Sequence, residues 1–129
     1  MFTIEEIKTA HSKVKSGADF PAYIQEIKKL GVVFYETFVT DGHTTYFDAY
    51  NQSKSTEDKY DKLIISKVTA IEQFKLDLKA HQQGQTDYLT FCQDCAKAGI
   101  EKWVVDLNKM TCTYFLESGE AVLEEKVPG

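Results

Sequence analysis

The residues best suited to chemistry in this sequence are two cysteines in the stretch 91–97, FCQDCAK. Cys92 and Cys95 have the C-x-x-C spacing found in thiol redox centres and in zinc sites. A redox pair places its first cysteine at a helix N-terminus, where the dipole lowers the thiol pKa, whereas Cys92 falls inside a predicted helix. A structural zinc site needs four ligands, and the chain has no second C-x-x-C and no H-x3-H. We therefore interpret both cysteines as core residues, because free cysteine behaves as a small apolar side chain.

A second candidate for chemistry is the histidine that follows the Asp41-Gly42 dipeptide. His43 could form an acid/base couple with Asp41, and the alternative, which we favour, is a solvated residue of a β-hairpin. The sequence contains no G-x-S-x-G, no Walker loop, no G-x-G-x-x-G and no H-E-x-x-H. The residues alone therefore predict no catalytic group, no metal and no cofactor.

Composition narrows the class of protein. The chain has 129 residues, of which 43% are hydrophobic, and this suits one domain spanning 1–129. A net charge of -5 and a pI near 5.2 argue against nucleic-acid binding, which requires a basic surface. We expect no membrane segment and no secretion signal, because no apolar run is long enough and the start lacks the signal pattern. Three cysteines, an odd number, favour a reducing cytoplasm.

The sequence also matches itself at an offset of 68 positions. Over positions 19–47 there are seven identities without a gap, including the triplet TYF at 45–47 and 113–115. This predicts an internal duplication with halves of about 1–67 and 68–129. At the same offset Cys92 falls on Ile24 and Cys95 falls on Ile27 (92 − 24 = 68; 95 − 27 = 68), which supports the core interpretation of the cysteines.

Each half is predicted to contain two helices followed by three strands. Thr3 with Glu6, and Thr69 with Glu72, have the spacing of a capping box at the first helix of each half. The second helices should begin at the caps Asp19 and Asp87 and end at the left-handed glycines Gly31 and Gly99. Residues 51–58 read as a loop. The predicted strands are 32–39, 44–50 and 62–66 in the first half, and 102–107, 111–118 and 121–127 in the second. These elements predict an α+β fold of two ααβββ halves, with an antiparallel sheet packed against helices.

The hairpins predict which side chains share a face of the sheet. A two-residue turn at Asp41-Gly42 places Phe38 opposite Thr45 and Glu36 opposite Phe47. One face then carries the core, while the other carries five apolar residues: Phe34, Phe38, Phe47, Val104 and Phe115. Helices or strand curvature could cover that second face. The other interpretation is an exposed patch that binds a second copy, another partner or a small apolar ligand.

Two segments, DFPAYIQEIKKLGV and GQTDYLTFCQDCAKAGIEKWVVDLNKMTCTYF, resemble the YbcV-like family of small bacterial proteins. The most specific part is AGIEKWVVD, which is similar to an A-G-V-x-x-W-V-x-D pattern in that family. The resemblance implies a domain of unknown function, whose members sometimes carry the label "phage envelope protein". It supplies no catalytic residues, and Gly99, Trp103 and Asp106 read as structural positions.

The leading hypothesis is a non-catalytic bacterial binding or protein-interaction module in the cytoplasm, which uses the aromatic sheet face. The first alternative is an enzyme with a site between the halves, at unlike residues in equivalent positions. In that arrangement three residues of the first half (Asp41, His43 and Asp48) would face three of the second (Lys109, Thr111 and Leu116). The second alternative is a phage-derived structural protein, as the label implies.

Overall fold

The described part of the chain contains four helices and six strands, with two helices preceding three strands in each half. The computed structural model describes residues 2–14 and 19–127. The helices are α1 (Ile4–His11), α2 (Phe20–Lys29), α3 (Ile71–Gln82) and α4 (Tyr88–Lys97). The strands are β1 (Phe34–Phe38), β2 (Thr44–Phe47), β3 (Ser53–Ser55), β4 (Ile100–Asp106), β5 (Thr111–Leu116) and β6 (Ala121–Lys126). None of the described helices combines the length and the apolar character needed to cross a bilayer.

All six strands form one antiparallel sheet in the order β3-β2-β1-β4-β5-β6. The two central strands, β1 and β4, come from different halves and pair with each other. The helices pack on one face, where α1 and α2 bury Tyr35 and Tyr46, and α3 and α4 bury Tyr114. The predicted α+β architecture is therefore confirmed. We call the face away from the helices the outer face.

Two of the predicted helix caps are confirmed. The Thr3 side chain accepts a hydrogen bond from the Glu6 backbone N–H (3.1 Å), and the Glu6 carboxylate accepts one from the Thr3 N–H (2.9 Å). At α4 the Asp87 carboxylate accepts from the Thr90 N–H (2.8 Å). These bonds satisfy N–H groups that have no partner inside the helix.

The other two caps differ from the prediction. Asp19 is the N-cap residue of α2, as predicted, but it already has helical dihedral angles, and its side chain does not supply the capping hydrogen bond. In the second half α3 begins at Ile71 after Ala70, without a side-chain cap. Thr69 instead packs against Gly99. A Cβ atom added at Gly99 would lie 3.3 Å from the Thr69 methyl group. Packing between the segment before α3 and the end of α4 therefore prevails over the local capping pattern.

The predicted third strand of the first half is also wrong. Residues 62–66 form no strand, and the strand lies at Ser53–Ser55, inside the predicted loop. The backbone of 62–66 bonds elsewhere, because Leu63 donates to the Thr40 carbonyl (2.7 Å) and Ser66 donates to the Ala96 carbonyl (2.8 Å). The segment is apolar because Ile65 is buried against α3 and α4, and not because the segment pairs with a strand of the sheet.

Hairpin pairing differs from the prediction by two residues. In the structure Phe34 lies opposite Phe47 and Glu36 lies opposite Thr45, and a four-residue turn at 39–42 replaces the two-residue turn. In the second half Lys102 lies opposite Phe115 rather than Glu117. A shift of two leaves every side chain on its predicted face, because side chains alternate with period two along a strand.

The core consists of two clusters that meet at Trp103 and Cys112. Cys92 and Cys95 are fully buried, as are Ile24 and Ile27, so the core interpretation of the cysteines is confirmed. Burial raises the pKa of both thiols, which keeps them protonated near neutral pH. Neither cysteine is therefore a ready nucleophile or metal ligand.

Element positions agree closely with the 68-residue offset. The ends of α2 and α4 differ by this number (88 − 20 = 68; 97 − 29 = 68), and so do the first residues of β3 and β6 (121 − 53 = 68). In the centre of the sheet Glu36 pairs with Val104, its own counterpart at that offset (104 − 36 = 68). The duplication itself stays a prediction, supported by these positions.

Candidate functional site

The outer face is built by alternate residues of β1, β2, β4 and β5. The five apolar residues predicted for it all lie on this face, and each is half-buried. The described helices make their packing contacts with the opposite face, so they do not cover it. Ring stacking contributes to the partial burial of three of the five side chains, because Phe34 contacts Phe47 and Phe38 contacts His43.

At one end of the outer face two phenylalanines stack. Phe34 and Phe47 are directly opposite each other on β1 and β2, with ring centroids 4.3 Å apart and planes 9° from parallel. Such cross-strand aromatic pairs stabilise a sheet and present a flat apolar surface. The stacked rings are therefore apolar, while Asp106 lies beside them, opposite Phe34 on β4.

Between the centre of the face and the β1–β2 turn, a lysine lies between two rings. The Lys102 ammonium is 5.7 Å from the centroid of Phe38 and 5.5 Å from that of Phe115, within cation–π range. It also forms an ion pair with Glu36 (3.2 Å), and the two side chains are only 25% and 23% exposed. The five predicted residues therefore do not form one continuous apolar patch, since this ion pair runs through the middle, beside Val104.

A polar cluster lies at the rim of the outer face, at the β1–β2 turn. The imidazole Nδ1 of His43 is 2.5 Å from a carboxylate oxygen of Asp41, and the same oxygen accepts the His43 backbone N–H (3.0 Å). The hypothesised contact between these two residues therefore exists. Asp58 joins them, so that one ligand atom from each of the three residues lies within 4.8 Å of the others.

Electrostatics in this cluster favour the ionised form of Asp41. Burial acts to raise the pKa of Asp41, but hydrogen bonds from the backbone and ring of His43 outweigh it, and the pKa lies below its usual value. His43 is held in turn by Phe38, whose ring is stacked on the imidazole at 4.6 Å. The sequence prediction missed Asp58, because it lies in a loop distant in sequence from the turn.

The predicted site between the halves is not assembled. Phe38 pairs with Lys102, so the turn with Asp41 and His43 lies beside the start of β4. The turn after β4, which carries Lys109, lies at the opposite end of the sheet, where Leu107 bonds to Val33. The expectation that Asp41 and His43 face Lys109 and Thr111 is therefore wrong.

Concave surfaces occur between the helices of each half. A cleft of about 250 Å³ lies between α3 and α4, lined by Gln73, Asp77, Asp94 and Lys97 among others. A second, of about 170 Å³, lies between α1 and α2. Both open on the helical side of the molecule, so neither belongs to the outer face.

Comparison with known proteins places the chain among uncharacterised relatives. Over 38 residues it is 47% identical to "Uncharacterized protein Mb2035" of Mycobacterium bovis and to "Uncharacterized protein Rv2012" of Mycobacterium tuberculosis. These matches cover 30% of the chain and only 23% of the relatives' length. A family profile matches residues 8–126, nearly the whole chain. The chain therefore belongs to the family described as "Protein of unknown function (DUF1398)".

Proposed function

We propose that this protein is a non-catalytic interaction module whose outer face binds a second copy of the chain. The observation that carries the proposal is the Glu36–Lys102 pair at the centre of that face, framed by Phe38 and Phe115. A sheet with helices on one side only leaves its other face open, and apolar side chains on that face favour burial against a partner. Two such sheets pack about 10 Å apart with their strands roughly aligned.

Charge favours a second copy over a small apolar ligand. An apolar ligand would bury Glu36 and Lys102 without offering either a new partner, which costs desolvation energy. In the proposed dimer a twofold axis runs parallel to the strands, in the interface and above the boundary between β1 and β4. This axis places β1 of one copy over β4 of the other. Glu36 of each copy then faces the strand that carries the partner's Lys102, so each buried charge meets an opposite one.

Val104 gives the sharpest test, because it is half-buried in the middle of the face. Val104→Glu should convert the dimer to a monomer of 14.7 kDa, since it buries a further negative charge beside Glu36. The measurement is sedimentation equilibrium over a range of concentrations. The matched control is Leu76→Glu, which adds the same charge on α3, where Leu76 is 64% exposed.

The control should remain dimeric, and the far-ultraviolet circular dichroism of both variants should match the wild type. A wild-type protein that is monomeric at every concentration would overturn the proposal. So would a Val104→Glu variant that associates as strongly as the control.

Four finer assignments belong to the same proposal. The resemblance supports placing the chain within the YbcV-like family, and the coincidence of elements at the 68-residue offset supports duplication within one domain. A cytoplasmic location is supported by the cysteines, all three of which are free thiols. An absence of nucleic-acid binding follows from the net charge of -5.

A further inference from the structure

The tip of the β1–β2 turn and the loop after β3 bring together three side chains with metal-ligating atoms. They are Asp41, His43 and Asp58, and their ligand atoms lie within 4.8 Å of one another. We propose that these residues bind one divalent first-row transition-metal ion at the rim of the outer face. The site is independent of the proposed association between copies, because it needs only residues of one chain.

The donor set selects the class of ion. One imidazole nitrogen and two carboxylate oxygens match the ligands of Zn²⁺ and similar ions, whereas Mg²⁺ and Ca²⁺ prefer oxygen alone. Nδ1 of His43 would be the nitrogen donor, with the imidazole proton on Nε2. Three protein ligands leave at least one coordination position for water or another small donor.

Backbone hydrogen bonds hold the two ligand-bearing segments against each other. The Asp41 carbonyl accepts from the Lys59 N–H (2.8 Å), which fixes the backbone next to Asp58. Two further bonds join Thr44 and Thr56, from the Thr56 N–H to the Thr44 carbonyl and from the Thr44 N–H to the Thr56 hydroxyl (both 2.9 Å). Hydrogen bonds at Thr56 and at Lys59, before and after Asp58 in the sequence, therefore fix the position of Asp58.

The loop and the turn also pack closely. The Tyr60 ring lies so near Gly42 that a Cβ on the glycine would fall 2.6 Å from a ring carbon. The Tyr60 hydroxyl donates to the Val39 carbonyl (2.5 Å), which anchors the ring beneath the turn. Preorganised ligands lower the entropic cost of binding an ion.

Charge in the cluster is also consistent with a cation. A carboxylate oxygen of Asp58 lies within 4.8 Å of one of Asp41, so two acidic groups are neighbours. A divalent ion between them would convert this unfavourable approach of like charges into ligation. The imidazole of His43 is also stacked on Phe38, which limits the motion of its ring.

The experiment is isothermal titration calorimetry of metal-free protein with ZnCl₂, repeated with MgCl₂. We expect one Zn²⁺ per chain and much weaker binding of Mg²⁺. Asp58→Asn and His43→Gln should each weaken Zn²⁺ binding by about tenfold or more, since even outer-shell changes at metal sites cost 10–100-fold. The matched controls, Asp61→Asn and His81→Gln, should bind as the wild type does.

Asp58 and Asp61 are both exposed, so their substitution leaves the fold intact even if His43→Gln perturbs the turn. Val104→Glu should bind Zn²⁺ like the wild type, which separates this proposal from that of self-association. Absence of stoichiometric Zn²⁺ binding by the wild type would overturn it. Equal losses in Asp58→Asn and His81→Gln would overturn it too, as would undiminished binding in Asp58→Asn.

Discussion

Lys102 makes three interactions at once on the outer face, with the carboxylate of Glu36 and with the rings of Phe38 and Phe115. Both charged groups of the pair are about three-quarters buried. In an isolated chain a pair that is still in contact with water on one side contributes about 1 kcal/mol to folding. Buried between two copies, the same charges would control whether the copies associate.

Reversing these charges tests their role in association. Lys102→Glu should weaken dimerisation by about tenfold or more, because two carboxylates then lie together within each copy and across the interface. The double variant Glu36→Lys/Lys102→Glu should restore dimerisation, since it recreates the pair in the opposite sense. Sedimentation equilibrium of the wild type and the three variants, including Glu36→Lys alone, measures the effect.

Failure of the double variant to associate better than either single variant would contradict the role assigned to this pair. The unfolding midpoint of each variant, measured in urea at low protein concentration, serves as the control. It separates a loss of association from a loss of folding, because the monomer alone is populated there.

Individual residues were predictable where the sequence repeats itself. Cys92 and Cys95 could be assigned to the core because Ile24 and Ile27 precede them by 68 positions, and all four are fully buried. Asp58 had no such counterpart, since a lone carboxylate in a polar loop carries no pattern. Asp58 lies near His43 because backbone hydrogen bonds join its loop to the β1–β2 turn. These bonds connect residues far apart in the sequence, so no short sequence pattern predicts them.

At the level of the elements, faces were easier to predict than pairings. Alternation with period two places Phe34 and Phe38 on the outer face whatever the length of the turn. The pairing depends on the turn, which has four residues here rather than two, and Tyr60 from a later loop packs against it at Gly42. The third strand was missed because its sequence, Ser-Lys-Ser, lacks the apolar residues of a strand. Applying the 68-residue offset to the well-patterned β6 would have located it.

The turn itself provides a matched stability test. Gly42 and Gly31 both have positive φ angles, +78° and +108°, but a Cβ at Gly42 would collide with Tyr60 whereas one at Gly31 would meet nothing within 4 Å. Gly31→Ala should therefore cost about 1–2 kcal/mol from backbone strain alone. Gly42→Ala should cost about 1–3 kcal/mol more, through the added steric overlap.

Urea unfolding followed by circular dichroism measures both free energies of unfolding. Gly119→Ala is a second control, because Gly119 has a φ of +91° and no neighbour within 4 Å of a Cβ. If Gly42→Ala proved no more destabilising than Gly31→Ala, the tight packing of the loop against the turn would be wrong.

At the level of the whole molecule, the two halves share their cores. Val39 of the first half packs in the cluster of α3 and α4, while Leu107 of the second packs in the cluster of α1 and α2. These two residues are counterparts (107 − 39 = 68), and both are fully buried. The exchange, together with the central β1–β4 pairing, makes each half incomplete without the other.

Fragments 1–67 and 68–129 should therefore be unfolded when purified alone and should recover native circular dichroism when mixed. A charge at Leu107 in the second fragment (Leu107→Asp) should abolish this recovery, because the residue lies in the core of the first. Gel filtration of the mixture would show the complex. Independent folding of either fragment would contradict a single domain over 1–129.

The two outermost strands bear on how large any assembly can become. All three residues of β3 are solvent-exposed, and they consist of serine and lysine, while β6 ends in Glu-Glu-Lys. Short, charged margins of this kind discourage the addition of further strands from neighbouring molecules. Sideways growth into filaments or shells is thus disfavoured, and the proposed association through the outer face would close the particle at two chains.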